Sequence, residues 1–278
     1  MEIAVKNSLQ KTATEVRIGI IESIHSAKAG HPGGSLSCAD ILTYLYFNYM
    51  NIDPKDPKKA DRDRLVLSKG HAAPALYSVL AHRGYFSTDL LLTLRKQGSI
   101  LQGHPDMKYI PGVDMSSGSL GQGISCAVGM ALSAKHFGDD YKVYAVLGDG
   151  EIEEGQVWEA AMFAANKGLS NLVAFVDYNG LQIDGTIEEV NSACPIDKKF
   201  EAFNWHTIVI DGHDFDQIEA ALKEAETIDK PVAIIANTVK GKGVSFMENN
   251  VNWHGAAPND ELAAQAVAEL KEALAKLG

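Results

Sequence analysis

The feature that most constrains this chain is a set of five short apolar runs, Leu65–Leu67, Val143–Leu147, Leu172–Val176, Ile208–Ile210 and Val232–Ala236, none of which keeps a strict apolar–polar alternation. A strand with one face in water alternates. One covered on both faces need not, and that is the condition of parallel strands in a sheet with helices on either side. The segments between the runs, 121–136, 155–167 and 214–226, have helical apolar spacing. The predicted fold is therefore α/β: a doubly wound, mostly parallel sheet with helices on both faces. Ahead of the first run the chain reads as a helical extension. One helix is expected over 6–29, burying Val16, Ile20 and Ile24, and a second over 36–50, burying Leu42, Leu45 and Tyr46. An amphipathic helix is expected from about Asp260. No repeat or Pro/Ser-rich linker divides the 278 residues, so a single domain is expected.

Composition narrows the function more by exclusion than by suggestion. The net charge is −11 and no block of Lys and Arg interrupts it, so the footprint expected for nucleic acid or an anionic membrane is missing, and an anionic ligand must be held locally. Glu2, Lys6, Lys11 and Glu15 break up the N-terminal apolar residues, which leaves no signal peptide or membrane span to read there. Cys38, Cys126 and Cys194 lack paired spacing, which argues against a disulfide framework or a zinc site. A cytoplasmic location is expected.

In open parallel sheets ligands bind beyond the carboxyl ends of the strands. His71 follows the first run, Gly148-Asp149-Gly150 the second and Asp177-Tyr178-Asn179-Gly180 the third. The last leads through Gly241-Lys242-Gly243 to Trp253-His254-Gly255. Glycines around Asp149 would let the backbone approach a diphosphate, while Asp149 and the Asn179 amide offer hard oxygens suited to Mg²⁺. An Asp-Gly after a strand is also an ordinary turn. His31, His104 and His254 sit beside Gly or Pro in loops, where a neutral imidazole can donate or accept a proton.

Six motifs, in order, resemble the N-terminal region of transketolases. They are Gly30-His31-Pro32-Gly33-Gly34, Ser68-Lys69-Gly70-His71-Ala72, Gly103-His104-Pro105-Asp106, Gly118-Ser119-Leu120-Gly121-Gln122-Gly123, the Asp149/Asn179 pair and Trp253-His254-Gly255. The Asp149/Asn179 spacing is that of the thiamine-diphosphate signature. The resemblance implies a thiamine diphosphate site in which Asp149, Asn179 and the Leu181 carbonyl coordinate Mg²⁺. Gly150 and His71 would bond the diphosphate, with His254 near it. Leu120 and Ile183 would pack on the thiazolium, and the Gly118 backbone would lie near the aminopyrimidine. His31, His104 and His254 would line the channel and bond the sugar's hydroxyl and carbonyl oxygens. Glu154 and Glu159 match glutamates at the family's subunit interface, Glu154 as part of a proton relay. Ser119 stands where many transketolases have proline.

The family also needs a carboxylate against the pyrimidine ring, and it lies in a second α/β domain together with the arginines that clamp sugar phosphates. The residues after Gly243 read as a loop and one helix, so the resemblance implies a partner: a C-terminal, pyrimidine-domain subunit in an α₂β₂ heterotetramer acting on sugar phosphates. The α subunits of 2-oxo acid dehydrogenases and deoxyxylulose-phosphate synthase share the Asp/Asn pair, and a non-catalytic cofactor-binding scaffold would keep the same ligands. The set of His31, His104 and His254 favours ketol transfer.

Overall fold

The computed structural model describes residues 1–277. In chain order the elements are α1 (Ile3–Ala27), α2 (Pro32–Ser37), α3 (Ala39–Tyr44), β1 (Arg64–Leu67), α4 (Ala73–Arg83), α5 (Gln122–Phe137), β2 (Val143–Gly148), α6 (Gly155–Asn166), β3 (Leu172–Tyr178), β4 (Leu181–Gln182), β5 (Gly185–Thr186), α7 (Ile187–Val190), α8 (Ile196–Ala202), β6 (His206–Asp211), α9 (Phe215–Ala225), β7 (Val232–Asn237) and α10 (Asp260–Lys276). The main sheet has the order β1-β2-β3-β7-β6 and every pairing in it is parallel. The fold is the expected doubly wound α/β sheet.

Each strand except the edge strand β6 divides its side chains between two cores; β6 buries Ile210 on one side and leaves Val209 exposed on the other. Val173 and Phe175 of β3 join the core under α1, α3, α4, α9 and α10, while Leu172, Ala174 and Val176 join the one under α5, α6 and α8. Burial on both sides is why the other four runs show no polar alternation. Helix α1 buries Leu9, Ala13, Val16, Ile20 and Ile24, a single stripe at three- and four-residue spacing, and ends where Lys28 turns left-handed at φ 53°. Asn259 accepts the Leu262 N–H and so starts α10.

The second helix departs from expectation. Instead of one helix over 36–50 there are two short ones, starting at Pro32 and interrupted at Cys38, followed by a wider turn closed by Met50 N–H on the Leu45 carbonyl at 2.8 Å. Proline at the first helical position lacks only an N–H that the helix has no use for, so Pro32 opens the helix rather than ending a loop. Helix α4 had no legible period because Ala73 to Ala81 are all buried, leaving no polar face to mark the turns.

The connections set the site. β1 feeds α4 on one face and β2 feeds α6 on the other, while β3 leads to α8 and β7 leads toward α10 on opposite faces. Neighbouring loops thus part above the sheet and open a crevice at its carboxyl edge. Among the described residues no helix is long and apolar enough to cross a membrane.

Candidate active site

The crevice is a cavity of about 290 Å³, lined by residues from the ends of β1, β2, β3 and β7 and from the loops before α2, α5 and α10. It brings together His31, His71, Gly118, Leu120, Asp149, Gly150, Asn179, Leu181, Ile183 and His254. His104 is outside the lining and exposed, its ring 3.3 Å from where a Cβ on Gly118 would stand. Glu154 and Glu159 are exposed, at the N-cap and in the second turn of α6, outside the cavity.

Asp149 is buried, and its carboxylate accepts the Gly150 N–H at 2.9 Å and the Gly180 N–H at 2.6 Å. Gly180 can present that N–H because its φ of 76° lies in the left-handed region. Burial, reinforced by the charge of Asp177, pushes the Asp149 carboxyl up to about 7, with the two N–H bonds opposing. A cation beside it would relieve that strain. The Asn179 carbonyl oxygen accepts the Leu181 N–H at 3.2 Å, and the Leu181 carbonyl accepts from Lys240 Nζ at 2.9 Å. Carboxylate, amide and main-chain carbonyl are the hard oxygens that Mg²⁺ takes, and all keep free lone pairs. Among the described residues no group of three His, Cys, Asp or Glu could hold a metal, so this donor set needs ligand oxygens to complete it.

The floor is glycine. A Cβ on Gly34 would stand 3.4 Å from His71 Nε2, and one on Gly150 would stand 3.2 Å from Gln182 Cβ. Such a floor, beside an N–H-rich turn and a lone carboxylate, fits a metal-bridged diphosphate. Leu120 is partly buried and Ile183 is 64% exposed, so both offer apolar surface to a ring.

His31, His71 and His254 cluster above, with ring centroids 5.1, 5.6 and 5.3 Å apart. Burial and then the charge of Lys69 push His71 down to about 2; burial and then Lys240 push His254 down to about 4. His31 and His104 are lowered by burial and then by Arg95. All four rings are neutral at neutral pH, each with one donor and one acceptor nitrogen. His31 Nδ1 is buried without a hydrogen-bond partner.

Three groups escaped the sequence reading. Lys69 is fully buried and pairs with Asp177 at 2.5 Å, while also donating to the Gly34 carbonyl at 2.7 Å. Glu151 accepts from Ser68 and from the Gly121 and Gly148 N–H groups, tying the ends of β1 and β2 to the start of α5. Lys240 reaches into the cavity from the loop after β7. Each lies one or two residues from a recognised motif or strand end, and a lysine or glutamate within an otherwise Gly-rich rim was the available signal.

These features suit a diphosphate ligand at the carboxyl edge of a doubly wound sheet, under a canopy of neutral imidazoles. Residues 8–276 match the family described as transketolase, thiamine diphosphate binding domain. The chain is 48% identical to the 6-deoxy-6-sulfo-D-fructose transketolase subunit SqwG of Clostridium sp. (strain MSTE9), over 95% of this chain and 96% of that one. It is 43% identical to one of the subunits of the apulose-4-phosphate transketolase of Phocaeicola vulgatus, over 97% and 96%. Human transketolase is 42% identical over 95% of this chain, which spans only 42% of that protein. The crystal structure of Campylobacter jejuni transketolase superposes with a TM-score of 0.90 at 34% identity, covering 98% of this chain and 43% of that one. The chain belongs to the transketolase family, where it corresponds to the N-terminal region that binds thiamine diphosphate.

Proposed function

We propose that this chain is the cofactor-binding subunit of a two-chain transketolase. With a pyrimidine-domain subunit, in an α₂β₂ assembly, it transfers a two-carbon ketol unit from a ketose phosphate such as xylulose 5-phosphate to an aldose phosphate such as ribose 5-phosphate, the exchange of the pentose phosphate pathway. The observation that supports this most is the convergence of His31, His71 and His254 over Asp149 and Asn179 in one crevice.

In this reading Asp149, Asn179 and the Leu181 carbonyl hold Mg²⁺, and Gly150 and His71 bond the diphosphate. Leu120 and Ile183 pack on the thiazolium, and the Gly118 backbone borders the aminopyrimidine. Thiamine diphosphate, when bound, supplies the chemistry that breaks and re-forms the carbon–carbon bond beside a ketone. The chain's own part is to orient and protonate. A neutral imidazole at His31, His104 or His254 donates to a carbonyl or alkoxide oxygen and accepts from a hydroxyl without a charge of its own, which suits an anionic sugar. Glu154 is exposed at the head of α6, as an interface relay requires. Relatives named for a sulfo-sugar and for apulose 4-phosphate share with xylulose 5-phosphate an anionic group on a small sugar, which supports an anionic sugar as the substrate class.

The test mixes this chain with a pyrimidine-domain subunit, thiamine diphosphate and Mg²⁺, and offers xylulose 5-phosphate, a 6-sulfo ketose and apulose 4-phosphate in turn with an aldose phosphate acceptor. Transfer should appear only in the mixture, together with a larger species on a sizing column. Turnover by this polypeptide alone would overturn the two-chain reading. Turnover of the sulfo-sugar alone would reassign the donor.

A further inference from the structure

Lys240 is only 2% exposed, an unusual fate for a lysine without a carboxylate partner. Its Nζ lies 2.9 Å from the Leu181 carbonyl and 2.9 Å from His254 Nδ1. The backbone on either side is held independently of the ammonium. The Val239 N–H donates to His213 Nε2 at 2.9 Å, the Gly241 N–H to the Gly33 carbonyl at 3.0 Å, and Arg17 to the Lys242 carbonyl at 3.1 Å. The stem has a slot as well. A Cβ on Gly33 would stand 2.9 Å from Lys240 Cγ and 2.9 Å from the Trp253 carbonyl, so glycine is what lets the lysine and the His254 loop close on each other.

An ammonium has three donors and no acceptor, and a carbonyl can only accept. Burial lowers Lys240 to about 8, still above neutral pH, and with the amine protonated the Lys240–His254 contact has one consistent assignment: nitrogen Nδ1 carries no proton. We propose that Lys240 is a positioning residue for His254, anchored on the Leu181 carbonyl and donating to Nδ1, so that the ring is confined to the tautomer with its proton on Nε2 and offers the cavity a donor. Nε2 has no hydrogen-bond partner among the described residues and is left for a ligand oxygen. Burial keeps the ring neutral, as its lowered pKa of about 4 also implies, so the choice of tautomer decides whether His254 gives or takes a proton. The same ammonium touches the carbonyl expected to face the metal, and so couples the orientation of His254 to the turn after β3.

The inference rests on the proposed transketolase reading for its consequence, but its test does not need activity. With ¹⁵N-histidine label in the chain alone, the His254 resonances, assigned by loss in His254→Gln, should show a protonated Nε2 and a bare Nδ1. Lys240→Met should give a mixture of the two tautomers, and Lys240→Arg, which keeps a donor-only end, should restore the single one. A proton on Nδ1 in the parent chain, or an unchanged tautomer in Lys240→Met, would overturn the proposal. If Lys240→Met does not fold, the parent spectrum still decides which nitrogen is bare. In the assembled enzyme Lys240→Met should lower kcat about 10-fold with a smaller change in KM, because a misplaced donor acts on the reaction more than on binding. Absence of ketol transfer in the parent assembly would sink the functional reading while leaving the tautomer result standing.

Discussion

Asp149 and Asp177 stand at the ends of adjacent strands, in a register that pairs Gly148 with Asp177, and both are buried, yet they are held in opposite ways. Asp177 is saturated: Lys69, Ser37 and Thr238 each reach it at 2.5 Å and Asn179 at 3.3 Å. Burial works to raise its pKa, but the Lys69 charge and these bonds win and hold the carboxyl below its ordinary value. Asp149 accepts only two main-chain N–H groups and is pushed up toward neutrality. The difference separates a clamp from the carboxylate proposed as a ligand. A carboxylate whose lone pairs are spent on side chains fixes the rim, whereas one propped up by backbone and left short of positive charge has something to gain from a cation.

The largest effect should come from breaking the clamp. Asp177→Ala leaves the Lys69 ammonium buried with only the Gly34 carbonyl, and removing one partner of such a pair costs about 3–5 kcal/mol. Urea unfolding of the metal-free chain reads this directly. A loss under about 1 kcal/mol would mean that water reaches Lys69 and that the pair is no clamp.

Asp149→Ala is the counterpart, and it should reverse the pattern. The fold should survive, because the group removed is a strained one at the rim, while Mg²⁺-dependent binding of thiamine diphosphate should weaken roughly 10²-fold or more through loss of a metal ligand. Calorimetric titration with and without Mg²⁺ decides it. Unchanged affinity, or a chain as unstable as Asp177→Ala, would erase the distinction between the two carboxylates.

The two carboxylates also differ in how legible they were. Asp149 was visible because Gly148 and Gly150 flank it at a strand end, a pattern with a geometric reason. Asp177 stands at the end of the next strand, in the segment that carries Asn179, but its role depends on Lys69 and Ser37, which lie 108 and 140 residues away. No local period can report a contact of that range. Four of the five strands were legible because burial on both faces erases alternation, while α4 was not, because burial on all sides erases the helical period by the same logic. The break at Cys38 falls among residues that carry no Pro or Gly to mark it, and it belongs to tertiary contacts: the Gly34 carbonyl accepts Lys69 there.

A third buried carboxylate sharpens the comparison with the smallest of the expected effects. Asp40 lies beneath the loop that carries Lys240, paired with Arg17 at 2.6 Å and bonded by His213 at 2.7 Å. His213 accepts the Val239 N–H on Nε2, so its proton sits on Nδ1 and is donated to Asp40. Burial alone would raise the Asp40 pKa, but Arg17 first and then His213 outweigh it and hold the carboxyl at about 2 against an ordinary 3.8. A lowered native pKa means that the unfolded chain binds the proton more readily, so the stabilisation is present above pH 4 and is lost as pH falls toward 2. The two values correspond to about 2 kcal/mol at neutral pH, roughly half of it gone by pH 3. The stability of Asp40→Asn should therefore lie below that of the parent chain at pH 7, and the gap should narrow as the solution is acidified from pH 5 to pH 3. Chemical unfolding at a series of pH values measures the gap. If it stays constant or widens on acidification, Asp40 is not held as an ion by Arg17, and the rule that side-chain partners mark a clamp while bare backbone partners mark a ligand fails at the position where pairing is most complete.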